Sequence, residues 1–128
     1  MAEATATAPF AYSSLYIDTD GSYFDVIDAL PDAPVGSVIV NVSGLLLGLE
    51  PHDLNLLFGM LGPNAVHGQR TLPLKDPDGD VWLTAVSDQH GLDLTVSFPA
   101  CGSNARVVLP HDQADRVRAA VKEVTEGA

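Results

Sequence analysis

No lysine or arginine precedes Arg70. Residues 1–69 hold Glu3, Asp18, Asp20, Asp25, Asp28, Asp32, Glu50 and Asp53, a formal −8, and the remainder, with all six bases, carries −3 of the total −11. A half without bases repels the phosphates of nucleic acids and of anionic membranes. It suits a protein partner, metal ions or plain solubility. Direct nucleic-acid binding and membrane attachment are therefore not expected.

Cysteine occurs once, at Cys101. No intrachain disulfide can form, and no neighbouring base activates the thiol. The N-terminal stretch has Glu3 and no basic residue, unlike a secretory leader, so a cytoplasmic protein is expected. Long apolar runs are also missing. Stretches such as Gly44 to Leu49 fall far short of the ~20 residues a membrane-spanning helix needs. Neither a phosphate-binding loop, nor a dinucleotide glycine fingerprint, nor a Gly-x-Ser-x-Gly elbow is present. His52, His67, His90 and His111 have no zinc-like spacing to one another or to Cys101. No cofactor is expected.

What is present is a globular composition, 46% apolar over 128 residues, enough for one domain with a real core. Residues 1–9 are small and polar and read as a flexible N-terminus, with a single domain over 10–128. Phe10 to Ile17 predicts a first strand from its aromatic and β-branched content. Asp18 to Ser22 is a turn, after which Ser22 caps a short helix to about Leu30, stopped by Pro31 and Pro34. Val35 to Val42 alternates as a strand. Ser43 to Leu49 reads as a turn with a hydrophobic loop or as a buried extension of that strand. Leu54, Leu57, Phe58 and Leu61 fall at i, i+3, i+4 and i+7, predicting a helix over about 51–61 with Pro51 at its first position.

The second half is the more regular. Strands are predicted at 70–75, 80–87, 92–98 and 106–109, with Pro73 marking an edge strand. Asp76-Pro-Asp-Gly79 and Asp88-Gln-His-Gly91 supply turns between them. The chain ends in an amphipathic helix from Asp112 to Val124, with Asp112 as its N-cap. The expected fold is α+β: an antiparallel sheet of five or six strands, ending in a β-meander, packed by two or three helices. By element order alone this is similar to a pleckstrin-homology-like or other small two-layer module.

Tyr16-Ile-Asp-Thr-Asp-Gly-Ser22 resembles the first motif of haloacid-dehalogenase-type phosphotransferases. That resemblance implies Asp18 as nucleophile, Asp20 as acid/base and a bridging Mg²⁺. It also implies a second-motif role for Ser43, with Lys75 and the Asp76, Asp78, Asp80 cluster in the remaining ones. The likeness spans seven residues. That family requires a doubly wound parallel sheet, whereas the second half here predicts an antiparallel one. Asp76, Asp78 and Asp80 also have the look of a Ca²⁺ loop, without the glycine and the bidentate glutamate that an EF-hand places later in its loop.

Leu45, Leu46, Leu47, Leu49, Leu56 and Met60 exceed what one helix face and a short loop bury, and are candidates for a partner-binding surface. The reading with most support is a small acidic protein-binding or assembly module, self-association included. In that case the late bases Arg106, Arg116, Arg118 and Lys122 would meet the base-free half of a second copy. A phosphohydrolase-like enzyme centred on Asp18 and Asp20, and an acidic mimic of nucleic acid, are the alternatives. Arg slightly outnumbers Lys in a chain rich in Ala, Val, Asp, Gly and Leu, which points to a high-GC bacterial or phage genome.

Overall fold

The structure, a computed structural model, describes residues 17–19, 22–29, 31–76, 79–100 and 102–126. The predicted strand over 10–17 meets them only at Ile17, and Asp20, Asp78 and Cys101 lie outside them. The fold is α+β, with eight strands among the described residues, in two antiparallel sheets rather than one sheet of five or six. The first sheet has the order β1 (Ile17–Thr19), β2 (Ser22–Asp28), β3 (Val38–Val42), β4 (Leu45–Leu49). The second has the order β5 (Gly68–Asp76), β6 (Gly79–Asp88), β7 (Gly91–Phe98), β8 (Ser103–Leu109). Helix α1 (Pro51–Phe58) joins the sheets, and α2 (Ala114–Glu126) closes the chain. No helix among the described residues is long and apolar enough to cross a membrane.

The extra strands come from two segments that local pattern misassigns. The helix predicted from Ser22 to Leu30 is instead β2, in register with β3 from Phe24 opposite Val42 to Asp28 opposite Val38. Phe24 and Ile27 suit a helical face, but Tyr23, Phe24, Val26 and Ile27 also suit a pleated one. The Val-rich partner decides, because it buries Phe24 and Val26 against Val40 and Val42.

Residues 45–49 form β4, turned back on β3 by Ser43 and Gly44. Both have positive φ, 48° and 102°, as a two-residue type I′ turn requires. A serine resists that conformation, and its own bonds hold it there. Its hydroxyl accepts from the Tyr23 N–H at 3.1 Å and donates to the Arg106 carbonyl at 3.0 Å. The second bond ties the first sheet to β8 of the second.

The meander follows the predicted strands closely. β5 pairs with β6 from Gly68 opposite Ser87 to Asp76 opposite Gly79, and β6 returns into β7 with Asp88 opposite Gly91. On the inner face Val81, Leu83, Ala85, Leu92, Leu94, Val96, Val107 and Leu109 are buried. They meet Phe24, Val26, Val40 and Leu49 of the first sheet, with both helices filling the remaining side. Each buried Val, Leu or Phe side chain stabilises the fold by roughly 1.5–3 kcal/mol relative to exposure. Helix α2 contributes Ala114, Val117, Ala120 and Val124, with Val121 half-buried at the edge of the stripe. Asp112 is not its N-cap. Pro110 begins a 3-10 turn, His111–Gln113, by accepting the Gln113 N–H at 3.0 Å, and this turn runs directly into α2. The fixed φ of proline and its free carbonyl start the helix there, one turn before a side-chain cap is needed.

Helix α1 begins with Glu50 as N-cap and Pro51 in its first turn. Asp53 is buried, and its Oδ2 accepts the Glu50 N–H at 3.0 Å, the returning half of a capping box. Asp53→Ala should lower stability by about 1 kcal/mol, read as a shift of the urea midpoint, while Asp53→Asn, which keeps an acceptor, should lose less. Equal losses would show that the cap bond contributes nothing.

Candidate functional site

The C-terminal end of α1 has no base of its own in its last turn. Other elements supply what it lacks. Arg118 of α2 donates to the Phe58 carbonyl at 2.9 Å and lies 5.2 Å from the Phe58 ring centroid. A cation at a helix C-terminus complements the dipole, and the ring face adds a cation–π contact. The buried Ser87 hydroxyl of β6 donates to the Met60 carbonyl at 2.7 Å. The helix end is thereby fixed to α2 and to the second sheet.

The connection from Gly59 to His67 is closed by its own backbone, with the Val66 N–H on the Gly59 carbonyl at 2.9 Å and the Ala65 N–H on the Gly62 carbonyl at 3.1 Å. His111 clamps it from the start of the α2 segment. Its Nδ1 accepts the Gly62 N–H at 3.0 Å, and its Nε2 faces the Asp88 carbonyl at the β6–β7 turn. One ring nitrogen must accept and the other donate, so the clamped ring carries its hydrogen on Nε2. His67 stacks on this ring, with centroids 6.0 Å apart and an interplanar angle of 14°.

These contacts hold open a groove of about 330 Å³ between the second half of α1 and the start of β5. Leu56 lines it from the helix, Met60, Val66 and His67 from the connection, and Arg70 from the strand. Met60 is buried beneath it, Leu56 is half-buried, and Val66 is 69% exposed. Among the described residues no acid lines the groove, and the Arg70 side chain has no hydrogen-bond or ion-pair partner. β5 is the edge of its sheet. Among the described residues no backbone hydrogen bond joins it to a strand other than β6.

The predicted surface residues divide accordingly. Leu47, Leu49 and Met60 are core, 3%, 1% and 5% exposed, because alternation along β4 and the turn after α1 point them inward. Leu46 is 50% exposed on the opposite face of β4, and Leu45 and Leu56 are half-buried. Of the late bases, Arg106 is held by Asp93, whose carboxylate oxygens lie 3.0 and 2.9 Å from its Nε, and this raises the Arg106 pKa. Arg118 is engaged by Phe58 as described.

Asp18 stands in β1 opposite Tyr23 in an antiparallel pair. Every strand pair among the described residues is antiparallel, so the doubly wound sheet implied by the phosphotransferase resemblance is not formed there. Ser43 is taken up by its turn. Asp76 and Asp80 lie at the β5–β6 hairpin, Asp76 opposite Gly79 and Asp80 opposite Lys75. No group of three His, Cys, Asp or Glu side chains is placed to hold a metal among the described residues. Of the early carboxylates, Asp53 serves the helix cap and Asp25 Oδ1 accepts the Val26 N–H at 2.8 Å. Both are thereby drawn into local backbone bonds.

Asp88 has a second role beside its carbonyl. Its Oδ1 accepts the His90 N–H at 2.8 Å, and this bond, followed by one from Gly91 and the nearby His90 and His67, lowers its pKa below the ordinary carboxylate value. A carboxylate favoured in the folded state contributes stability above its unfolded pKa and loses it as pH falls through the lower folded value. Acidification below the ordinary carboxylate range should therefore destabilise the protein less in Asp88→Asn than in the wild type, measured as melting temperature against pH. Superimposable pH profiles would remove Asp88 from the acid limb.

No protein-family model matches the chain, and no curated protein matches it. Among solved structures it is similar to a protein of unknown function from the DUF155 family of Prochlorococcus sp. NATL2A, at 16% identity over 89% of this chain and 98% of that one, with a TM-score of 0.29.

Proposed function

We propose that the chain is a small acidic protein-binding or assembly module without catalysis of its own, and that it meets its partner along the α1–β5 face. The observation that carries this reading is a strand edge, unpaired among the described residues, beside an open groove with Leu56 and Val66 at its surface. Partner sites combine apolar side chains with a few polar groups that fix orientation, and Arg70, His67 and Asn55 are the polar groups here.

Affinity capture from the native host, with the wild-type chain and with Leu56→Arg, tests the reading. Partners retained by the wild type and lost with the variant support it, and an unchanged retained set overturns it. Self-association is the narrower form. Arg106 is held by Asp93, Arg118 by the Phe58 carbonyl and Arg116 by Gln113 Oε1 at 2.7 Å, so among the described late bases Lys122 remains for the base-free half of a second copy. Gel filtration with light scattering decides that form: a monomer at every concentration removes it.

A further inference from the structure

We infer that the groove binds an extended acidic peptide of another protein, which adds as a fifth strand to the β5 edge that no described strand covers. The inference rests on the protein-binding reading and names its partner. Its first support is the bonding parity of β5. Pro73 stands opposite Trp82 in the β5–β6 ladder. Proline has no N–H to give a ladder, so it fits an edge strand with its nitrogen turned away from the neighbour. In an antiparallel pair a residue's N–H and C=O point to the same side, and successive residues alternate sides. Gln69 and Thr71, of the same parity as Pro73, therefore present both groups to the open edge. Pro73 itself ends the available stretch.

The second support is the groove beside that stretch. A strand laid along Gln69 to Thr71 turns alternate side chains toward α1, about 7 Å apart. One position meets Leu56 and Val66 and takes an apolar side chain. Another meets Arg70, a cation without an acidic partner among the described residues in a groove that no described acid lines. A carboxylate there forms a charge-assisted hydrogen bond. The net −11 of the whole chain opposes this only weakly, because exposed charges beyond about 8 Å are screened at physiological salt. A second copy fits less well. Two β5 edges pairing antiparallel about these residues bring Arg70 near its own counterpart and join two chains of −11.

Selection of a phage-displayed library of random dodecapeptides on the full chain tests the inference, followed by solution titration of enriched peptides. The expected result is peptides with Asp or Glu and β-branched residues, bound about tenfold more weakly by Arg70→Glu. They should also lose binding to Thr71→Pro, which removes an outward N–H and no ladder bond. Should Thr71→Pro fail to fold, N-methylation at successive amides of the same peptides asks the same question of the intact protein, and loss at alternate amides is the strand signature. Enrichment of basic peptides, or binding indifferent to N-methylation at every position, overturns the inference. If capture from the host still depends on Leu56, the protein-binding reading survives that result. A dimer abolished by Thr71→Pro assigns the edge to a second copy and likewise overturns the inference.

Discussion

Gly91→Ala should destabilise the protein by roughly 3–5 kcal/mol, a large part of the ~5–15 kcal/mol that holds a domain folded. Two causes act together. Gly91 opens β7 at the β6–β7 turn with φ of 152°, a conformation that L side chains rarely adopt. A Cβ there would also fall against the Leu109 carbonyl oxygen, 3.1 Å from its carbon and 3.3 Å from Pro110 Cα. Both neighbours are backbone at the end of β8, where Leu92 pairs with Leu109, so neither moves without opening the ladder. Gly102→Ala is the control: it shares a positive φ, 71°, but has nothing within 4 Å of the added carbon. It should lose only the conformational part, about 1 kcal/mol. Guanidinium unfolding of both variants measures the difference, and equal losses would show that the Leu109 contact relaxes at no cost.

The turn that makes Gly91 critical is legible in the sequence, and so is most of the second half. Asp76-Pro-Asp-Gly79 and Asp88-Gln-His-Gly91 punctuate strands whose alternation, Val81, Leu83, Ala85, holds to one face. Pro73 marks β5 as an edge through its missing N–H alone. Residues 22–28 resist the same reading. Phe24 and Ile27 satisfy helical spacing as well as strand pleating, and the strand that settles the matter begins only at Val38. Ser43 hides the type I′ turn because the residue that stabilises its positive φ, Arg106, is 63 positions away.

The site is less legible than the fold for the same reason. Leu56 and Met60 stand out as apolar excess, but which of them stays at the surface depends on where α1 ends and what covers it. Arg70 is conspicuous only as the first base of the chain. That it faces a groove which no described acid lines follows from strand order, which no local motif encodes.

The feature furthest from the sequence is the His111 clamp, since Gly62 lies 49 residues earlier. His111→Phe should cost roughly 2–3 kcal/mol, while keeping the ring volume and the stack on His67. Its loss divides unevenly. The Asp88 residue is exposed, so water can replace His111 at its carbonyl, whereas Gly62 is buried and its N–H loses its only acceptor among the described residues. An orphaned buried donor carries the larger part of the cost. The consequence reaches the groove, because Gly62 lies within the connection that carries Met60, Val66 and His67. Amide hydrogen exchange should therefore speed up at Gly62 and Val66 well before the global rate changes, and peptide binding at the groove should weaken with it. His111→Asn, whose side-chain oxygen can still accept from Gly62, should recover much of the protection at Gly62. If both variants leave Gly62 as protected as in the wild type, the ring does not anchor this wall, and the backbone bonds from Val66 to Gly59 and from Ala65 to Gly62 hold it alone.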